Sequence, residues 1–179
     1  MFNNLRAAVG LLYARMVFRK QKDSVVRFTN AVSRSQKALV VLPSTARDTS
    51  AVQWVLRYLA DRFRDGKLVV VGREEVASTL EGPGASTMLM YNEKDLNAWF
   101  VPTAHLRQNL KKATFDVAID LNTEFELAGA FLCRESNAPL RVSFAKDHAD
   151  EFFNFQVQTK SAASMALAYR NLIRCLEMF

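Results

Sequence analysis

Residues 38–63 read ALVVLPSTARDTSAVQWVLRYLADRF, and their pattern decides the fold. The five consecutive apolar residues Ala38–Leu42 lack the alternation of a strand with one wet face, so they predict a strand buried on both sides. Pro43 ends it, because proline lacks the N–H that a ladder needs. Ser50 with Gln53 three residues later predicts a capping box that opens a helix. Ala51, Trp54, Val55, Tyr58 and Leu59 then form one stripe, and Gly66 marks the helix end. The next apolar run, Leu68–Val71, completes a strand-helix-strand unit, expected to be right-handed.

The same alternation continues outward. Residues 73–85 predict a helical turn followed by the Glu81-Gly82-Pro83-Gly84 turn, and Thr87–Tyr91 a third strand. A short strand is expected over Leu96–Val101, a helix over Thr103–Lys112, and a strand over Phe115–Leu121 (FDVAIDL). Phe125–Arg134 reads as a helix, Leu140–Phe144 and Phe153–Val157 as strands, and Ser161–Met178 as a closing helix. Phe152, Phe153 and Phe155 are assigned to packing rather than to a base-stacking platform. The expected class is therefore α/β: a Rossmann-like, three-layer, open and mostly parallel sheet formed by one domain over residues 38–179.

Charge is uneven along the 179 residues. Residues 1–37 hold eight Lys and Arg against one acid, a net +7, whereas the remainder holds 16 basic and 17 acidic residues. An evenly basic reader of DNA sequence would not look like this, so any electrostatic partner is sought at the N-terminus. Residues 1–37 are expected to form a basic amphipathic helical extension. Within its first helix, residues 3–20, Phe2, Leu5, Val9, Leu12, Tyr13 and Met16 share one face, ringed by Arg6, Arg15, Arg19, Lys20 and Lys22. A second short helix is expected around Ser24–Val32, capped by Asp23 or Ser24. The extension either docks on an anionic membrane surface, RNA or a protein partner, or packs on the domain with its cations solvated.

Other classes are excluded by what the chain lacks. The apolar stretch Ala7–Ala14 is closed by Arg15, far short of the ~20 residues that span a bilayer. Cys133 and Cys175 make neither a disulfide scaffold nor a zinc site, and His105 and His148 are isolated, so no metal is expected. The expected location is a reducing cytoplasm, with peripheral contact at the inner membrane. No glycine-rich phosphate cradle and no G-x-S-x-G elbow is present, and no cofactor is expected.

Open parallel sheets bind ligands beyond the carboxyl ends of their strands, where strand order reverses. Two loops would flank that crevice: Pro43-Ser44-Thr45-Ala46-Arg47-Asp48 and Asp120-Leu121-Asn122-Thr123. A buried or paired carboxylate there, Asp48 or Asp120, would serve as a general base toward a sugar or nucleotide ligand. The structural alternatives are helix capping for Asp48 and hydrogen bonding to loop amides for Asp120. Arg47 either holds an anionic group or pairs with Asp48. Ser44, Thr45 and Asn122 complete the candidate ligand-binding set.

The strand-one segment resembles the opening of the family-9 glycosyltransferases, the lipopolysaccharide heptosyltransferases, which have a buried strand, a Ser-containing loop ending in Gly-Asp, a helix and a second strand. FDVAIDLN is similar to their later Tyr/Phe-Asp-x-x-Ile-Asp-Leu strand, and Ser136–Phe144 (SNAPLRVSF) to their Ser-Gly-Ala-x-x-Arg-Ile-Gly-Phe segment. The resemblance implies an acceptor-side N-terminal domain in which the loop aspartate, here Asp48, is the base. Arg47 replaces the family's Gly and Thr123 replaces the Gly after the Asp-Leu strand. The chain also resembles a small group of single-domain proteins of Bacteroidetes and related bacteria, which brings no activity with it. By this resemblance the 179 residues match only the acceptor-side half, and a donor-binding second domain is not expected within them. The expected function is therefore a glycosyltransferase-like Rossmann domain acting as a non-catalytic adaptor that docks through its basic helix. The alternative is the acceptor-binding half of a transferase, working with a separate donor-binding chain.

Overall fold

A computed structural model describes residues 2–23, 31–45, 47–81, 87–158 and 164–178. Its centre is a six-stranded, wholly parallel sheet: β1 (Ala38–Val41), β2 (Leu68–Arg73), β3 (Thr87–Tyr91), β4 (Val117–Asp120), β5 (Leu140–Phe144) and β6 (Phe155–Val157), in the order β3-β2-β1-β4-β5-β6. Alternate residues along β1 face opposite layers, as the two-residue strand period requires. Ala38, Val40 and Leu42 join one core cluster with α3 (Thr49–Arg62) and α7 (Met165–Glu177). Leu39 and Val41 join a second cluster with α5 (Ala104–Lys111) and α6 (Leu127–Glu135). The expected α/β, Rossmann-like class is what the sheet and its two helical layers display.

Two expected elements differ. Leu96–Val101 contributes only an isolated bridge from Leu96 to Pro102, because Asn97 Oδ1 accepts from the N–H groups of Trp99 and Val101 and curls the segment. The helix after β1 opens at Asp48, not at a Ser50 box. Asp48 accepts from the Ala51 N–H at 3.2 Å, while the Ser50 hydroxyl donates to the same carboxylate and Gln53 bonds the Glu81 backbone. The short helix expected around Ser24–Val32 falls largely outside the described residues, which begin again at α2 (Ala31–Arg34). The Glu81–Gly84 turn lies mostly outside them as well.

The N-terminal helix α1 (Phe2–Phe18) packs on the domain, and through a different stripe from the apolar one its sequence displays. Gly10, Leu11, Ala14 and Phe18 face the α6 side, whereas Leu5, Leu12 and Met16 point to solvent. Gly10 permits this contact: a Cβ there would collide with the Trp99 carbonyl oxygen and stand 2.7 Å from Leu127 Cδ2. Phe18 packs against Phe131 with the rings tilted at 55° and their centres 4.8 Å apart. Two of the five singled-out cations fasten the helix. The Arg6 guanidinium donates to the Ala98 carbonyl, and Arg15 forms a bidentate pair with Glu151 at 2.6 Å. Arg19, Lys20 and Lys22 remain exposed.

The cap expected at Asp23 or Ser24 belongs to the short helix around Ser24–Val32, whose first turn lies outside the described residues. Asp23 receives the guanidiniums of Arg134 and Arg141, both nearly buried, and so ties the end of the α1 segment to α6 and to β5. Burial alone would raise this carboxyl, but the hydrogen bonds and charges of Arg141 and Arg134 outweigh it and hold Asp23 below its ordinary 3.8. A carboxyl depressed by folding contributes stability that is complete above its unfolded value and is lost as pH falls through the folded one. Asp23→Asn is accordingly expected to lower the melting temperature at neutral pH, with the deficit relative to wild type shrinking steadily below about pH 4. Melting curves of both proteins across that range are the check.

Candidate functional site

Strand order reverses between β1 and β4, where Val41 pairs with Asp120. The loops leaving these two strands meet through one side chain. Asn122 Oδ1 accepts from the Ser44 N–H at 2.7 Å, and its Nδ2 donates to the Leu42 carbonyl at 3.1 Å and to Asp120 Oδ1 at 2.7 Å. Asn122 is therefore a buried brace between loops, with both amide hydrogens and one of its two acceptor positions committed to the protein. Beside it opens a recess of about 70 Å³ lined by Ser44, Thr45, Arg47, Asn122 and Thr123 among others. The structure thus brings together four of the expected ligand-binding residues. Neither Asp48 nor Asp120 lines that space.

Asp120 is wholly buried and its charge is taken up. Lys146, at the end of β5, donates to Asp120 Oδ2 at 2.6 Å and to the Asn122 carbonyl at 2.6 Å, and both charged side chains are almost inaccessible. Ser143 also donates to Oδ2, and the Asn122 N–H donates to Oδ1 at 3.1 Å. A carboxylate enclosed by a cation and loop amides has no path to a substrate proton. This corrects the expectation that Asp48 and Asp120 flank one open crevice: the β4 carboxylate is part of the wall. Tyr169 of α7 closes the same region from the opposite layer by donating to the Leu121 carbonyl at 3.0 Å.

Asp48 is exposed but holds the first turn of α3, with its backbone in the left-handed region at φ 54°. Asp and Asn tolerate that conformation better than most residues, and glycine tolerates it best. Arg47 is exposed at the rim of the recess, and among the described residues it forms no ion pair with Asp48.

Among the described residues, spaces roomier than this recess lie beyond β2 and β3. A cavity of about 300 Å³ runs between the start of α1 and the 93–100 segment, lined by Asn3, Arg6, Arg73, Glu93, Asn97 and Phe100 among others, and an adjoining one of about 220 Å³ shares Arg73 and Glu93 and reaches Tyr91. The first matches the lower end of the 300–1,000 Å³ range of small-ligand sites; the recess beside Asn122 is far below it. Arg73 was not singled out in the sequence, although a cation ending an apolar run at a strand's carboxyl end is a legible signal. Its Nε is buried without a hydrogen-bond partner. Glu126, which caps α6 through the Ala128 and Gly129 N–H groups, is pushed up by burial and, less strongly, by the Asp120 charge. Burial likewise raises Tyr91 well above its ordinary value.

This arrangement has a counterpart among solved structures. The fold is similar to that of a glycosyl transferase family 9 protein from Veillonella parvula DSM 2008, with a TM-score of 0.56 and 13% sequence identity. The likeness is one of fold. It covers 80% of this chain and 42% of that one, so the chain spans less than half the length of this neighbour. No protein-family model and no curated protein matches the sequence. Among the described residues no helix is long and apolar enough to cross a membrane.

Within the SNAPLRVSF segment, Asn137 stands where the glycosyltransferase pattern has Gly, and it adopts φ 54°. The turn between α6 and β5 thus places a left-handed backbone on Asn, a residue type that tolerates it. Arg141, in the position of the pattern's Arg, is buried and donates to the Phe152 and Ala138 carbonyls and to Asp23. Its role in this chain is to knit β5, the following loop and the α1 segment.

Proposed function

We propose that this glycosyltransferase-like domain is a non-catalytic binding module that docks through its basic N-terminal helix. The observation that carries the reading is the fate of the two carboxylates at the strand reversal: Asp120 is enclosed by Lys146, and Asp48 caps α3. A general base must reach a substrate proton directly or through one water, and the small recess beside Asn122 contains neither group. The ligand-sized cavity near Arg73 is likewise lined by neither.

A second reading has one observation in its favour. Asp48 holds a left-handed backbone in an exposed loop, and such conformations cluster at functional sites. In that reading Asp48 is the base of an acceptor-binding half that works with a separate donor-binding chain.

Substitutions at Asp48 separate the two. Asp48→Ala is expected to lower stability by about 1 kcal/mol through loss of the cap, and Asp48→Asn to preserve it because the amide oxygen still accepts from Ala51. In the producing cell, glycan profiles are expected to be identical whether the gene is replaced by wild type or by Asp48→Asn. A profile changed by Asp48→Asn, at an unaltered melting temperature, would overturn the binding-module reading and make Asp48 the base.

A further inference from the structure

We infer that the solvent face of α1 lies in the headgroup layer of an anionic lipid bilayer, an inference that rests on the docking role proposed above and specifies its surface. The helix is apolar on two opposite sides. One side, Gly10, Leu11, Ala14 and Phe18, is spent on the domain. The other presents Leu5, Leu12 and Met16 at 65%, 56% and 78% exposure, with Tyr13 beside them, and their spacings of seven and four residues, two turns and one, set them along one stripe. Single exposed apolar side chains are ordinary, whereas an aligned row of large ones on a helix already held to a globular body is a surface kept for contact.

Charge selects the occupant. Residues 1–22 contain five cations and no acid. Arg6 and Arg15 are engaged with the body, but Arg19, Lys20 and Lys22 are exposed at the carboxyl end of the stripe. An apolar stripe with free cations beside it suits lipid tails and anionic headgroups together. A second copy of the chain fits poorly. Two such helices would bring like charges together, and a stripe about 25 Å long and about 10 Å wide offers on the order of 250 Å², well under the ~800 Å² per partner of a stable protein interface. RNA would use the cations and leave the leucines and the methionine unexplained.

The test uses the full chain and lipid vesicles. Wild type is expected to float with vesicles of phosphatidylcholine and phosphatidylglycerol and not with phosphatidylcholine alone, and to be released as salt rises. Leu5→Ser/Leu12→Ser/Met16→Ser should weaken partitioning at least about tenfold at an unchanged melting temperature, because these side chains are not in the core. Arg19→Gln and Lys20→Gln should each weaken it roughly fivefold. Failure of wild type to bind anionic vesicles, or undiminished binding by the triple serine variant, overturns the inference. A concentration-dependent dimer abolished by the same serines gives the face to a second copy, and RNA binding in place of vesicle binding gives the cations to RNA; either result also overturns it. Vesicle binding does not depend on Asp48, so this result is separate from the glycan comparison.

Discussion

Replacing Lys146 with Met is expected to lower stability by about 3–5 kcal/mol, the cost of leaving a buried charge without its partner. Asp120 has no solvent exposure, and its remaining partners are Ser143 and the backbone and side-chain amide groups of Asn122. None of these supplies a full positive charge. In a chain of 179 residues this corresponds to a fall in melting temperature of roughly 6–20 °C. The compensating variant Asp120→Asn/Lys146→Met removes both charges and keeps an acceptor for the Asn122 N–H, so it should recover much of the loss. Urea or thermal unfolding of the single and double variants measures the coupling. Recovery in the double variant means that the pair functions as part of the wall between the β1 and β4 loops. An equal loss in both would assign the effect to the packing of the Lys146 stem, whose ammonium also approaches the Phe153 ring at 5.4 Å.

The second large effect is expected at Gly10. A leucine there has no room for even its Cβ, because the Trp99 carbonyl and Leu127 side chain fill the space. Helix α1 must lift from α6, exposing Leu11, Ala14 and Phe18. Overpacking of this kind costs about 1–3 kcal/mol, and the upper end is expected because the colliding atom belongs to the backbone. Leucine is the better helix former by nearly 1 kcal/mol, so helix propensity alone predicts the opposite sign. Limited proteolysis of the first 23 residues, read beside the melting temperature, separates the outcomes: a detached α1 is cleaved faster although its own helicity is raised.

Vesicle binding adds a further contrast. A lifted α1 still carries Leu5, Leu12, Met16 and the exposed cations, so Gly10→Leu should retain lipid affinity while losing attachment to the domain. The triple serine variant should do the reverse. Two opposite stripes of a single helix are thereby assigned separate tasks.

The sheet was legible in the sequence because a strand buried on both faces is commonly apolar throughout, as Ala38–Leu42 and Leu68–Val71 are, whereas Leu140–Phe144 alternates and buries Arg141 and Ser143 as well. FDVAIDL also placed Asp120 at a strand end. The cap of α3 was less legible: Asp48 and Ser50 both suit helix starts, and only the left-handed backbone at Asp48 brought its carboxylate to the Ala51 N–H. The crevice was less legible still. Whether Asp120 faces a ligand or a cation depends on Lys146, 26 positions away, and no local pattern announces that pair.

The N-terminal helix divides the two sources of information most clearly. Its helical period, its row of Leu5, Val9, Leu12 and Met16, and its positive charge follow from the order of residues alone, since a 3.6-residue period maps sequence spacing onto a face. Which face meets the domain does not follow. That choice rests on Gly10, whose missing Cβ lets the helix approach Trp99 and Leu127, residues remote in the chain and near only once the sheet has formed. The sequence by itself determined the class of fold, the position of the carboxylates along the chain and the existence of an apolar basic helix. Tertiary structure decided that one carboxylate is enclosed, that the other holds a helix, and that the most apolar stripe of α1 faces solvent, because pairing and close approach are properties of three-dimensional neighbours.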